Sequence, residues 1–478
     1  MVRRQVLTAI AAAVSVALVA QAAIAAPLTT PASPGVANML VSGSSHESLV
    51  TAKAKAPKNV IVMISDGWGQ NQIDATSYYM YGAKDRQVYT RFPFQLAMST
   101  WEVERPAVPP ADDCTPVTGG YDPVRAWSDF NYVKYPCATD SASAATAMST
   151  GVKTFNGYIG MDVNGASQVH AMQVAEDRGM ATGVVTSVEW SHATPAGFVA
   201  HNISRNNYAA IANEMLNSRI DVIMGAGNPD FDNSGNPASM DAKYVGGSAT
   251  WAALKNPADG VLDGWALIQT RQRFQELATG DTPARVVGVP QVYTTLQQAR
   301  AGDGGAGPFE VEFTASVPTL AEMSRAALNV LDDNPNGLVL MIEGGAVDWA
   351  GHANQSGRLI EEQADFDEAV EAVVDWVQAN SNWGETLLIV TGDHETGYLT
   401  GPMDPDSPVW VPVVNNGAGR LPGMQWNFGE HTNQLIPFFA KGDDGRWFKK
   451  AADLSDPVWG AYIDNTDINK VILQVLAR

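Results

Sequence analysis

Seven acids and imidazoles gather in four short motifs of a 478-residue chain. Asp66 stands in Ser65-Asp66-Gly67-Trp68-Gly69. Glu343, Asp348 and His352 share one stretch, Glu343-Gly344-Gly345-Ala346-Val347-Asp348-Trp349-Ala350-Gly351-His352. Asp393 and His394 are adjacent in Thr391-Gly392-Asp393-His394-Glu395, and His431 sits in Glu430-His431-Thr432. Taken singly, each motif is most simply a turn aspartate or a core histidine. Jointly they are not, because the chain has only 7 histidines and three fall here. Carboxylate and imidazole donors without cysteine suit catalytic zinc, and oxygen-rich positions suit magnesium. The spacing of four between Asp348 and His352 puts both on one face of a helical turn.

A nucleophile stands in Ala138-Thr139-Asp140-Ser141-Ala142-Ser143-Ala144-Ala145-Thr146-Ala147. Thr139, Asp140 and Ser141 precede an Ala-rich run of strong helix formers at 142–148, so small polar side chains cap a helix that alanine propagates. A serine there faces free backbone N–H groups and the positive end of the helix dipole, which together bind anions and phosphate above all. By itself Ser141 is an ordinary capping serine; the ligands elsewhere give it a chemistry. Two metals about 4 Å apart clamp the attacking and leaving oxygens of an in-line displacement. A serine hydroxyl next to one of them loses its proton and becomes a nucleophile.

The elements that must position these groups are legible in outline. Residues 59–64 form an apolar run expected of a strand buried on both faces, and Asp66 follows at its carboxyl end, where open α/β sheets place ligands. Similar strands at 181–188, 221–224, 337–342 and 386–390 deliver the next motifs, and another at 435–440 follows His431. Helices are expected over 70–82, 170–178, 208–217, 319–331, 359–379 and 464–476. The 359–379 helix is acidic and amphipathic, with an outer face expected in water. After the 181–188 strand, His192 and Thr194 alternate in an extended segment stopped by Pro195, so both side chains point the same way. Arg205, in Ser204-Arg205, offers a planar fork suited to two phosphate oxygens. Residues 225–308 are rich in Gly, Asp and Pro with helical hints near 264–277 and 292–300. They read as an irregular insertion over the active edge.

Length and a 45% hydrophobic composition allow a large core, and no internal repeat appears. Arg3 and Arg4, an apolar run at 7–20 and Ala23-Ile24-Ala25 form a leader over 1–25, too short to span a bilayer, with cleavage expected before Ala26. No other stretch reads as a membrane span. The mature protein is expected to be periplasmic or secreted, with a loose arm at 26–55 and a catalytic domain over 56–478. The net charge of −21 becomes −23 on loss of Arg3 and Arg4, so no nucleic-acid surface is expected. An acidic chain that handles phosphate needs a site made locally positive by metals and arginine. Cys114 and Cys137 are the only cysteines. In an exported chain they favour a disulfide, contributing about 3 kcal/mol by chain entropy; zinc ligation is less favoured without a CxxC pair.

The motifs, with His192-Ala193-Thr194-Pro195-Ala196, stand in the order and near the spacing of one family. The chain resembles the alkaline phosphatases over nearly its whole mature length. That resemblance implies a three-layer α/β/α sandwich around a large, mostly parallel sheet, acting on small phosphate monoesters. It implies Ser141 as the phosphorylated nucleophile and Arg205 as the phosphate clamp. Asp348, His352 and His431 would hold one zinc, and Asp66, Asp393 and His394 a second. Asp66, Thr194 and Glu343 would hold magnesium. It also admits a homodimer. His192 and Trp349 stand at two positions that vary in the family, where other members carry Asp and Lys. His192 favours zinc over magnesium in the third site, and Trp349 brings no positive charge to the phosphate. A sulfatase would need a C/S-x-P-x-R motif, but Ser141 is followed by Ala-Ser-Ala-Ala. A diesterase would be expected to lack a clamp like Arg205, and a non-catalytic metal protein would close its coordination.

Overall fold

The computed structural model describes residues 58–103, 120–134, 138–256, 262, 264–404 and 409–478. The leader, the 26–55 arm and the Cys114–Cys137 pair lie outside the described residues.

Apolar runs with turn residues at their ends build one sheet of 11 strands. From edge to edge the strands are Leu454–Asp456, Gly460–Asp464, Phe94–Ser99, Ile436–Lys441, Thr386–Thr391, Asn59–Ser65, Leu338–Gly344, Ala181–Glu189, Val222–Ala226, Val286–Gly288 and Ala266–Ile268. The seven from Thr386–Thr391 to Ala266–Ile268 run parallel; Ile436–Lys441 is antiparallel to both its neighbours. The central Asn59–Ser65 strand shows why its run is apolar throughout. Val60, Val62 and Ile64 enter one core, while Ile61 and Met63 enter the other. One face is covered by the Ser141–Thr150, Tyr208–Asn217 and Thr466–Leu476 helices, the other by Gln70–Tyr81, Leu320–Leu331 and Ser356–Asn380. This is the expected three-layer α/β/α arrangement. No helix among the described residues is long and apolar enough to cross a membrane.

Four local expectations need correction. The 225–308 segment is not irregular throughout: Ala266–Ile268 and Val286–Gly288 extend the sheet beyond Val222–Ala226. Strands of three residues are too short to show a period. Residues 292–300 form turns rather than a helix, because side chains take the backbone groups a helix would pair. Thr295 Oγ1 accepts from Ala299 N, and the Arg300 guanidinium donates to the carbonyls of Gln297, Val311 and Glu312. The acids of the Ser356–Asn380 helix are not all on its solvated face: Glu368, Glu371 and Asp375 are exposed as expected, whereas Glu361, Glu362 and Asp367 are buried against neighbours. Finally, the extended chain ends at His192 and does not reach Thr194. His192 precedes a short helix, Ala193–Gly197, and Pro195 falls in its first turn, where a missing N–H costs nothing.

Candidate active site

Asp140, not Ser141, caps the nucleophile's helix. Its Oδ1 accepts from Ser143 N at 2.9 Å, and Ser141 is the first helical residue. The other oxygen, Oδ2, accepts from Arg205 Nη1 at 3.0 Å and from Gly157 N at 2.9 Å. One aspartate therefore starts the helix and aims the guanidinium. Arg205 is tied again by Nη2 to His192 Nε2 at 3.1 Å and by its backbone N–H to Gly157 O. Ser141 Oγ lies 3.4 Å from Asp66 Oδ2 and 3.3 Å from His394 Nε2.

Strand ends bring the ligands to Ser141. Asp66 leaves the Asn59–Ser65 strand through Gly67, whose φ of +73° and whose missing Cβ let it approach Asp348. Asp348 and His352 lie on one face of the Ala346–His352 helix, as their spacing predicts. His352 Nδ1 donates to Gly429 O at 2.7 Å and His431 Nδ1 to Thr139 O at 2.8 Å. With both rings neutral, these carbonyls leave the two Nε2 atoms as bare lone pairs, yet they face each other 3.1 Å apart, 3.3 and 3.6 Å from the two oxygens of Asp348. Lone pairs converge like this around a cation; ligand atoms of a tetrahedral zinc lie about 3.3 Å apart. Around His394 the pattern repeats. Its Nδ1 meets Thr396 Oγ1, whose hydroxyl is already donated to Asp348, so Nε2 faces Asp66 Oδ1 at 3.4 Å and Asp393 Oδ2 at 3.2 Å unprotonated.

A third group joins Asp66, His192 and Glu343, whose ligand atoms lie within 4.8 Å of one another. Thr194 is buried beside Glu343 there. His192 therefore stands inside this group rather than behind it. Five buried polar atoms in the site have no hydrogen-bond partner: Asp66 Oδ1, Asp393 Oδ2, Glu343 Oε1, Thr194 Oγ1 and His192 Nδ1. Burial without partners is costly, so this concentration fits a centre built for metal ions. Burial, with Asp393, Asp348 and Glu343 nearby, holds the Asp66 carboxyl well above its ordinary range. Burial likewise pushes Glu343 up to about 7 and Asp393 up to about 6, and it drives His394 well down. Bound cations would reverse that balance.

The site opens into a cavity of about 600 Å³ lined by Ser141, His192, Arg205, Trp349, His352 and Glu430 among others. The indole of Trp349 stands edge-on to the His192 ring, centroids 6.0 Å apart. Every site residue expected from sequence within the described residues is thus near Ser141. Two supporting residues escaped the sequence reading, as did the hold of Asp140 on Arg205. Thr396 looks like a strand residue, and Thr186, which donates to Glu343, is buried in a strand. Only an ordered fold reveals what those side chains face.

The sequence profile of alkaline phosphatase matches residues 122–450. The chain belongs to the alkaline phosphatase family. It is similar to alkaline phosphatase 3 of Bacillus subtilis, 31% identical over 368 residues that cover 75% of this chain and 66% of that one. Alkaline phosphatase H of Pseudomonas aeruginosa is 31% identical over 403 residues, 80% of this chain and 78% of its own. Among solved structures, the alkaline phosphatase of the Antarctic bacterium TAB5 superposes with a TM-score of 0.61 at 26% identity, covering 88% of this chain and 99% of that one. A TAB5 variant with a histidine exchanged for aspartate, carrying magnesium in its M3 site, superposes with a TM-score of 0.60 at 25% identity, covering 89% of this chain and 99% of that one. As a phosphatase-family hydrolase, the chain carries its metal-type ligands where the sheet's carboxyl edge meets the Ser141 helix.

Proposed function

We propose that the chain is an exported, metal-dependent phosphomonoesterase that splits phosphate monoesters into alcohol and phosphate through a phosphoserine at Ser141. The observation that carries this reading is the convergence of unprotonated His394 Nε2 and Asp66 on the Ser141 hydroxyl, in a cavity that Arg205 also lines. In this reading Asp348, His352 and His431 hold one zinc, and Asp66, Asp393 and His394 hold the second. Asp66, Thr194 and Glu343 hold the third ion. His192 adds an imidazole nitrogen to that third group, which favours zinc over magnesium. The TAB5 variant, in which magnesium sits in M3 with histidine replaced by aspartate, supports it.

Bound ions would supply Lewis acidity, easing loss of the serine proton and offsetting the ester's charge. The chain's own residues do the rest. Arg205 grips two non-bridging phosphate oxygens with its planar fork, held in place by Asp140. Ser141 Oγ, deprotonated, forms a P–O bond as the ester P–O bond breaks, and the leaving oxygen keeps the electron pair and takes a proton. Water then attacks the same phosphorus, the Ser141 oxygen leaves, and inorganic phosphate is released. The helix start at Ser141 favours negative charge at every stage. The open cavity accepts varied leaving groups, consistent with broad specificity at alkaline pH.

An assay of an aryl phosphate, its diester and its sulfate, before and after chelation, tests the reading. The monoester alone should turn over well, and chelation should abolish that turnover. Preferred hydrolysis of the diester or sulfate would overturn it. Ser141→Ala should remove the acid-stable phosphoenzyme while metal content stays nearly intact; phosphoenzyme persisting in that variant would refute Ser141 as nucleophile.

A further inference from the structure

A second cavity, of about 280 Å³, lies beside the Ser356–Asn380 helix and shares no lining residue with the catalytic one. Its walls are of two kinds. Phe309 and Phe313 stand 6.0 Å apart by ring centroid and, with Met80 and Val317, give an apolar side. Glu361, Glu362, Asp365 and Glu368 give an acidic one.

The acids are not equally satisfied. Glu361 is neutralised: its Oε2 accepts from Arg300 at 2.9 Å and Arg358 at 3.2 Å, and its Oε1 from Phe309 N at 2.7 Å. Among the described residues Asp365 accepts only from Leu320 N, with both oxygens at 3.2 Å. Arg271, the cation on the wall, is committed to Glu322. Glu362 is only 4 % exposed, and its Oε1 has no hydrogen-bond partner. Burial beside Asp365 and Glu361 pushes the Glu362 carboxyl up to about 8. A buried oxygen without a donor, beside Asp365, calls for a cation bearing N–H groups.

A metal ion is the poorer fit. Among the described residues, the groups whose ligand atoms gather closely enough for an ion are those around Ser141, and these acids are not among them. The paired phenyl rings add surface that a bare ion cannot use, whereas an alkyl chain or the face of an ammonium can. We propose that this cavity is a binding site for a small soluble organic cation, a primary ammonium on a short hydrocarbon body. Its nitrogen donates to Glu362 Oε1 and Asp365, and its carbon chain lies against Phe309 and Phe313. The volume falls just below the roughly 300–1,000 Å³ of ligand pockets, which suits a body of about six carbons.

The test titrates the metal-loaded, full-length protein with hexylammonium, hexanol and hexanoate by calorimetry or ligand-observed NMR. Hexylammonium should bind with a Kd near or below about 1 mM, and the isosteric alcohol and the anion at least about tenfold more weakly. Glu362→Gln should weaken hexylammonium about tenfold, and Phe313→Ala should weaken it through the lost apolar wall. Thermal melting and aryl phosphate hydrolysis confirm that each variant is folded. Should Glu362→Gln not fold, Glu368→Gln on the exposed rim reads the same charge requirement, with a several-fold weakening expected. Equal binding of hexanol, no hexylammonium binding up to about 10 mM, or unchanged affinity in the folded acid variants would each overturn the site.

Discussion

At the scale of single residues, Trp349 is the choice with the clearest consequence. Among the residues lining the catalytic cavity, Arg205 is the permanent cation, opposed by Asp348 and Glu430. An indole facing His192 adds no charge to a phosphate product, although its N–H can reach a water. The product should therefore leave easily. Replacing Trp349 by Lys should lower the phosphate inhibition constant several-fold and slow turnover at high product. An unchanged inhibition constant would show that the indole does not set product affinity. His192 poses a related question of metal choice. Its Nδ1 has no partner and faces the third group, so His192→Asp should raise magnesium and lower zinc in that position when the metals are counted.

Elements set the accuracy of the site. The turn after Asn59–Ser65 works because Gly67 has no side chain: an added Cβ would lie 2.7 Å from Asp348 Cα, at a φ of +73°. Gly67→Ala should cost about 1–3 kcal/mol and displace Asp348, read as a lower melting temperature together with lost metal. The Ser141–Thr150 helix depends on Asp140 in two ways. Loss of the cap in Asp140→Ala should cost about 1 kcal/mol of stability. Loss of the Arg205 contact should raise KM for the ester more than a cap alone predicts. A capping Asn in the same place separates the two, because it keeps the cap and gives up the full carboxylate that faces arginine.

For the whole molecule, burial of so many acids couples stability to ligands and protons. Chelation should lower the melting temperature by several degrees, since it strips the cations that offset Asp66, Glu343 and Asp393. Asp367 reports the proton linkage away from the metals. Burial raises its carboxyl from 3.8 to about 7, against hydrogen bonds from Gln363 and Tyr89. The folded chain thus keeps a proton that the unfolded chain has lost between about pH 4 and 7. This contribution is present below the lower value and disappears as pH rises through the upper one. Asp367→Asn removes the linkage, so its melting temperature relative to the parent should rise from pH 5 to pH 8. An equal difference at both values would mean that Asp367 is not held protonated.

Much of this architecture is local and so can be read from the chain. A strand buried on both faces must be continuously apolar, as 59–64 is, and acids or histidines just past such strands must emerge at its carboxyl edge. The four-residue spacing of Asp348 and His352, the serine at a helix start and the order of the motifs are likewise properties of the sequence by itself. Other features depend on contacts between residues far apart, and these only the tertiary structure decided. That Asp140 caps the helix with one oxygen and holds Arg205, 65 residues away, with the other is such a contact. The Ser356–Asn380 helix keeps Glu368, Glu371 and Asp375 in water, but packing against its neighbours buries Glu361, Glu362 and Asp367. The short strand at 286–288 forms because Val222–Ala226 offers backbone groups to pair with, and 266–268 in turn pairs with 286–288. Periodicity records which face of an element is apolar; what that face meets is settled only when the chain closes on itself.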